Sequence, residues 1–129
     1  MTCIVGLTTE DNVYIGGDTF GSNGFAGESY VRPKVFKKDN MIIGVCGSYR
    51  LMQVLEFNLT LPKKYDGDTT DKYLYRDFVD SLRSTLRTAG LLEFNKGIES
   101  MGKGTFLMGY ENILYKVQQD FSILQPKSG

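Results

Sequence analysis

Apolar and polar positions alternate through the first and last parts of the chain and recur at helical spacing in the middle. Residues 2–9, "TCIVGLTT", are β-branched and apolar and run into Glu10-Asp11-Asn12, a turn composition. "VYIGGD" (13–18) resumes the strand pattern, so the two runs predict a hairpin. Residues 19–31, "TFGSNGFAGESYV", are glycine-rich with few apolar anchors and predict a long loop. A second hairpin follows, with Val35–Lys37 as one strand, Lys38-Asp39-Asn40 as the turn and Met41–Cys46 as a fully buried strand. From Ser48 the period changes. Leu51, Val54, Leu55 and Leu59 share one helical face, predicting a helix over about 49–60 that Leu61-Pro62 ends. Asp71 is placed to cap a second helix over about 72–89, with Leu74, Phe78, Leu82 and Leu86 as its core stripe and Val79 widening it. Ala89-Gly90 stops that helix, and "TFLMGY", "NILYKVQ" and "DFSIL" then read as three strands with tight turns at Glu111 and near Gln119. Helices grouped between blocks of strands argue for an α+β protein of antiparallel sheets.

Composition narrows the function classes. At 129 residues, with 41% hydrophobic and 23% charged side chains, the chain is a single globular domain spanning 1–129. Fifteen basic and fifteen acidic side chains cancel, giving no global field for nucleic acid or an anionic membrane. The apolar runs are too short to span a bilayer, and no signal-peptide pattern opens the chain. Cys3 and Cys46 sit in apolar runs and read as buried thiols of a reducing compartment, which places the protein in the cytoplasm. The chain has no histidine. Ser-His-Asp triads, Cys-His dyads and most catalytic zinc sites are thereby excluded, and neither metal nor cofactor is expected.

Two stretches offer chemistry. "GIESMGKGT" (97–105) nearly spells a phosphate-binding loop, but Gly104 stands where a metal-binding hydroxyl is required and Thr105 opens a strand rather than a helix. It reads as a glycine-rich turn. The second is Thr2 with Asp18 and Lys34. Removal of Met1 would give Thr2 a free α-amine, a base titrating near pH ~8, able to take the proton from its own Oγ. A nearby ammonium, Lys34, would keep that amine neutral, and a carboxylate, Asp18, would keep the lysine charged and oriented. The first hairpin brings Thr2 and Asp18 to the same end of adjacent strands, and Lys34 opens the next strand after the loop.

With "MT-IVG" at 1–6, "IGGD" at 15–18, "RPKVFK" at 32–37 and "IIGVCGS" at 42–48, the chain resembles the proteasome β-subunit family of N-terminal nucleophile (Ntn) hydrolases, and in particular the short proteasome-like proteins of bacteria and phages. The resemblance implies an αββα sandwich of antiparallel sheets. It also implies that Thr2 is nucleophile and base, that Lys34 tunes it, that Asp18 orients Lys34, and that the backbone N–H of Gly47 serves as oxyanion donor. The implied reaction is amide hydrolysis of a peptide-like substrate through an acyl-threonine ester. Arg32, Ser48, Tyr49 and Arg50 are the pocket candidates.

Three features depart from the family's pattern. The sequence stops at "QPKSG", before the segment that completes the family's helical layer and supplies a further serine and aspartate, so one helical layer is expected to be incomplete and a homo-oligomer or a completing partner chain to cover the exposed face. Met1, if retained, turns the Thr2 amine into an amide that cannot act as a base. Bulky Tyr49 and Arg50 follow the oxyanion turn, where the family more often carries small residues. These departures motivate the alternative function, a catalytically silent oligomer that binds a protein or an anionic small ligand, for instance as a phage counter-defence module.

Overall fold

The computed structural model describes residues 4–17, 20–22, 27–29, 34–102 and 104–126. Its centre is a five-stranded antiparallel sheet. Strand β5 (Val35–Lys38) pairs with β6 (Met41–Cys46), β6 with β9 (Thr105–Tyr110), β9 with β10 (Ile113–Val117), and β10 with the short edge strand β11 (Ile123–Leu124). The alternation of side chains sorts this sheet into two unlike faces. Met41, Ile43 and Val45 register with Tyr110, Met108 and Phe106, and Tyr115 and Val117 continue the row; all are nearly inaccessible and form the floor of the main core. The opposite face carries Ile42, Gly44, Leu107 and Gly109.

That second face receives the first hairpin, β1 (Ile4–Thr8) and β2 (Val13–Gly17), whose register pairs Ile4 with Gly17 and Thr8 with Val13. The inner side chains of the hairpin lie directly over glycines of the sheet. A Cβ on Gly44 would stand 2.7 Å from methyls of Ile4 and Ile15, and one on Gly109 would stand 2.8 Å from Val13. Two sheets approach this closely only because those positions carry no side chain. The outer side chains Val5, Leu7 and Tyr14 are exposed.

Helices cover the first face. Ser48 caps α1 (Tyr49–Phe57) by accepting a hydrogen bond from the Leu51 N–H at 3.0 Å, and Leu51, Met52, Val54 and Leu55 are buried against the sheet. At the other end of α1 the Lys38 ammonium donates to the Glu56 carbonyl at 2.8 Å, a cation at a helix C-terminus that ties the helix to the edge strand. The second helix is continuous from α2 (Thr70–Lys72) through a π-helical segment, Tyr73–Phe78, to α3 (Val79–Thr88). Its stripe of Leu74, Phe78, Leu82 and Leu86 is wholly buried. Strict four-residue spacing would advance each side chain by about 40° around an ideal α-helix. The wider π turns offset that drift and keep the stripe on the sheet.

Several local expectations need correction. Thr69, not Asp71, caps the second helix, accepting from the Lys72 N–H at 3.1 Å. Helix α1 ends at Phe57, with Asn58 as its cap, before the expected residue 60. The expected loop over 19–31 contains two paired strands, β3 (Phe20–Ser22) and β4 (Gly27–Ser29). A further hairpin, β7 (Glu93–Asn95) with β8 (Ile98–Ser100), was not expected; Arg83 of α3 reaches it through a two-pronged pairing with Glu99, one prong at 3.0 Å. Cys46 is half-buried rather than buried, and Cys3 lies outside the described residues. Among the described residues no helix is long and apolar enough to cross a membrane.

The β9–β10 turn is a two-residue hairpin, with Glu111 and Asn112 both at positive φ (52° and 62°), the geometry that matches strand twist. Its Glu111 carboxylate accepts from the Thr70 hydroxyl at 2.6 Å and from the Lys64 ammonium at 2.9 Å, pinning the start of the second helix to the sheet. The Thr70 hydroxyl, then Lys64, hold Glu111 below the usual carboxylate range. A carboxylate whose folded pKa is depressed stabilises the fold above its unfolded pKa and loses that contribution as pH falls through the folded value. Stability is therefore expected to fall below about pH 4.5 more steeply in the native chain than in Glu111→Gln, as chemical denaturation at stepped pH would read.

Candidate functional site

Strand pairing brings the start of β5 and the end of β6 together. The Val45 N–H donates to the Lys34 carbonyl at 3.0 Å, placing Lys34 beside the turn that leaves β6. Lys34 is only 4% exposed, the one buried charged side chain among the described residues. Burying an ammonium is costly unless its surroundings compensate, so such a lysine is a functional candidate on physical grounds. Its Nζ lies 5.9 Å from the centroid of the Tyr49 ring, within cation–π range.

Gly47 makes the turn between β6 and the α1 cap. Its φ of 151° suits glycine, and a Cβ there would come within 3.0 Å of the Gly104 Cα. Gly104, just before β9, is packed in turn, since a Cβ on it would lie 2.2 Å from a Leu51 methyl. Two glycines thus let the β6–α1 turn and the start of β9 meet backbone to backbone. The loop that nearly spelled a phosphate site serves this approach, and it leads into a strand rather than a helix. Gly47 itself is exposed.

The remaining pocket candidates divide. Ser48 uses its hydroxyl as the α1 cap. Tyr49 opens α1, half-buried, with its hydroxyl oxygen covered. Arg50 points away from the core and is exposed. Thr2, Asp18 and Arg32 lie outside the described residues. The start of β1 and the end of β2 lie near this turn, because Ile4 pairs with Gly17 and packs over Gly44, three residues before Gly47. On the same end of the sheet, past the pairing of Cys46 with Thr105, an open cleft of about 400 Å³ is lined by Thr105, Lys116, Gln118, Gln119 and Asp120. Those cleft residues carry no motif in the sequence. The glycine pair is half visible in the sequence, where Gly47 follows a buried strand and Gly104 shows only as a departure from the phosphate-loop pattern.

This arrangement of hairpin, five-stranded sheet and helical layer recurs in solved structures. The chain superposes on Thiobacillus denitrificans BPH, solved in complex with epoxomicin, with a TM-score of 0.74 and 16% identity, covering 99% of this chain and 69% of that one. It superposes on a eukaryotic HslV from Trypanosoma brucei with a TM-score of 0.58 and 18% identity, covering 98% and 67%. For Anbu from Hyphomicrobium sp. strain MC1 the values are 0.57 and 13%, covering 98% and 57%. The fold is that of the proteasome-like Ntn hydrolases. No protein-family model matches the sequence, and no curated protein matches it. The likeness is one of backbone architecture, α+β with antiparallel sheets, and the chain spans part of each neighbour's length.

Proposed function

We propose that the protein is a proteasome-like threonine amidohydrolase acting on peptide-like substrates in the cytoplasm. The observation that carries the reading is a buried lysine, Lys34, set beside an exposed glycine turn, Gly47, at the end of the sandwich where β1 begins and β2 ends. In the proposed reaction Met1 is removed and the Thr2 amine takes the proton from the Thr2 Oγ, directly or through one water. The Oγ attacks the substrate carbonyl, and the Gly47 N–H donates to the oxyanion that forms. Collapse of that intermediate returns the proton to the departing amine and leaves an acyl ester on Thr2, which water then hydrolyses to regenerate the hydroxyl. Lys34 holds positive charge near Oγ, and Asp18 keeps Lys34 charged and oriented. Self-association belongs to the proposal, supported by the outward apolar side chains Val5, Leu7 and Tyr14 on the hairpin.

The test joins intact mass to active-site labelling. Protein made in its native host is expected to lack Met1 and to gain the mass of one epoxomicin, the compound bound in the BPH structure. Thr2→Ala is expected to abolish the adduct. Retention of Met1 in the native protein, or an undiminished adduct on Thr2→Ala, sinks this reading and returns the question to a silent binding protein.

A further inference from the structure

Tyr49 occupies a place where a proteasome-like fold was expected to carry a small side chain, and three independent contacts fix it there. The Ser48 cap sets the first turn of α1, the Lys38 bond to the Glu56 carbonyl holds the far end of the same helix, and the tyrosine packs against the main core. Lys34 is fixed from its own side by the hydrogen bond between its carbonyl and Val45. The ring and the ammonium therefore meet between two anchored backbones, 5.9 Å apart, at a lysine that is almost wholly buried. A phenol ring presents electron density at its face, and that face attracts a cation most where water is excluded.

We propose that Tyr49 is a positioning residue for Lys34: its ring face holds the buried ammonium in place beside the Gly47 turn. The inference rests on the hydrolase reading for its consequence, since an ammonium held at that point is the one that acts on Thr2. This role differs from that of a substrate-pocket residue, which the sequence alone suggests for Tyr49. Tyr49 touches no reacting atom in this role. It works through Lys34, and the ring rather than the hydroxyl does the work.

The experiment compares the full chain with Tyr49→Phe and Tyr49→Leu by two readouts. The first is the proton resonance of the Lys34 ε-methylene, assigned by its loss in Lys34→Arg. An aromatic face shifts a group above it upfield, so the native chain and Tyr49→Phe are expected to share an upfield position that Tyr49→Leu loses. The second is the rate at which epoxomicin labels Thr2. Tyr49→Phe is expected to label at the native rate, and Tyr49→Leu roughly tenfold more slowly, the size of effect that a desolvated cation–π contact supports. Leucine keeps the apolar bulk at the start of α1, and thermal melts of both variants separate a folding defect from a lost contact.

An unchanged Lys34 resonance in Tyr49→Leu overturns the proposal, as does a Phe variant that labels as slowly as the Leu variant, which would put the work on the hydroxyl. Equal labelling in all three chains overturns the positioning role and leaves the hydrolase reading standing. If no chain is labelled while the resonance still follows the ring, the ring–ammonium pairing is supported and only the hydrolase reading falls.

Discussion

Replacing Phe78 with alanine is expected to cost about 3–5 kcal/mol of stability, the range for removing a fully buried aromatic ring. Phe78 ends the π-helical segment, is wholly inaccessible, and sits between Leu74 and Leu82 in the stripe that faces the sheet. Little around it can close the gap. Its helix is pinned on one side by the Tyr73 hydroxyl bond to the Pro62 carbonyl and by the Ser81 hydroxyl bond to the Thr60 carbonyl, and on the other by the pairing of Arg83 with Glu99. A cavity walled by anchored elements stays open, and an open cavity is the costly kind. The same substitution at Phe57 or Phe94, 65% and 69% exposed, is expected to change stability by no more than about 0.5 kcal/mol. Urea unfolding of the three variants checks the contrast, and a Phe78→Ala chain as stable as the Phe94→Ala chain would refute it.

Phe78 also marks what the sequence makes legible. The stripe of Leu74, Phe78, Leu82 and Leu86 can be read from spacing because burial against a flat sheet demands one apolar face. The π turns that keep a four-residue spacing in line cannot, since they answer to the sheet beneath. The strands of the central sheet are legible through β-branched and aromatic runs. Strands β3, β4, β7 and β8 are three residues each, too short for alternation to emerge, and Phe94 and Ile98 on the last pair are exposed and give no core signal. The cap went to Thr69 rather than Asp71 because the helix begins a turn earlier than its apolar stripe. At the site, the separation of Asp18 from Lys34 and the glycine after a buried strand were both visible as letters. The burial of Lys34 and its meeting with Tyr49 were not, because they depend on the direction in which α1 leaves the Gly47 turn.

That turn carries the second large effect. Gly47→Ala is expected to cost roughly 2–4 kcal/mol and, in the proposed hydrolase, to slow Thr2 labelling by about a hundredfold or more. Two penalties act together. The φ of 151° is one that an alanine adopts only under strain, and the new Cβ would press to 3.0 Å on the Gly104 Cα, which is backbone and cannot swing aside as a side chain can. Two other glycines separate these contributions. Gly67 has a φ of 91° but open space around its Cβ, so Gly67→Ala should pay the strain alone, about 1 kcal/mol. Gly16 lies outside the positive-φ region and has nothing within 4 Å of its Cβ, so Gly16→Ala should be neutral to within about 0.5 kcal/mol. Relief of the Gly47 strain requires the turn to move, and a moved turn carries its N–H away from the position an oxyanion would occupy. Stability and labelling should therefore fall together at Gly47, whereas stability alone should fall at Gly67. A Gly47→Ala chain that melts like Gly67→Ala and labels at the native rate would show that the contact with Gly104 yields without moving the turn, and would remove Gly47 from the proposed mechanism.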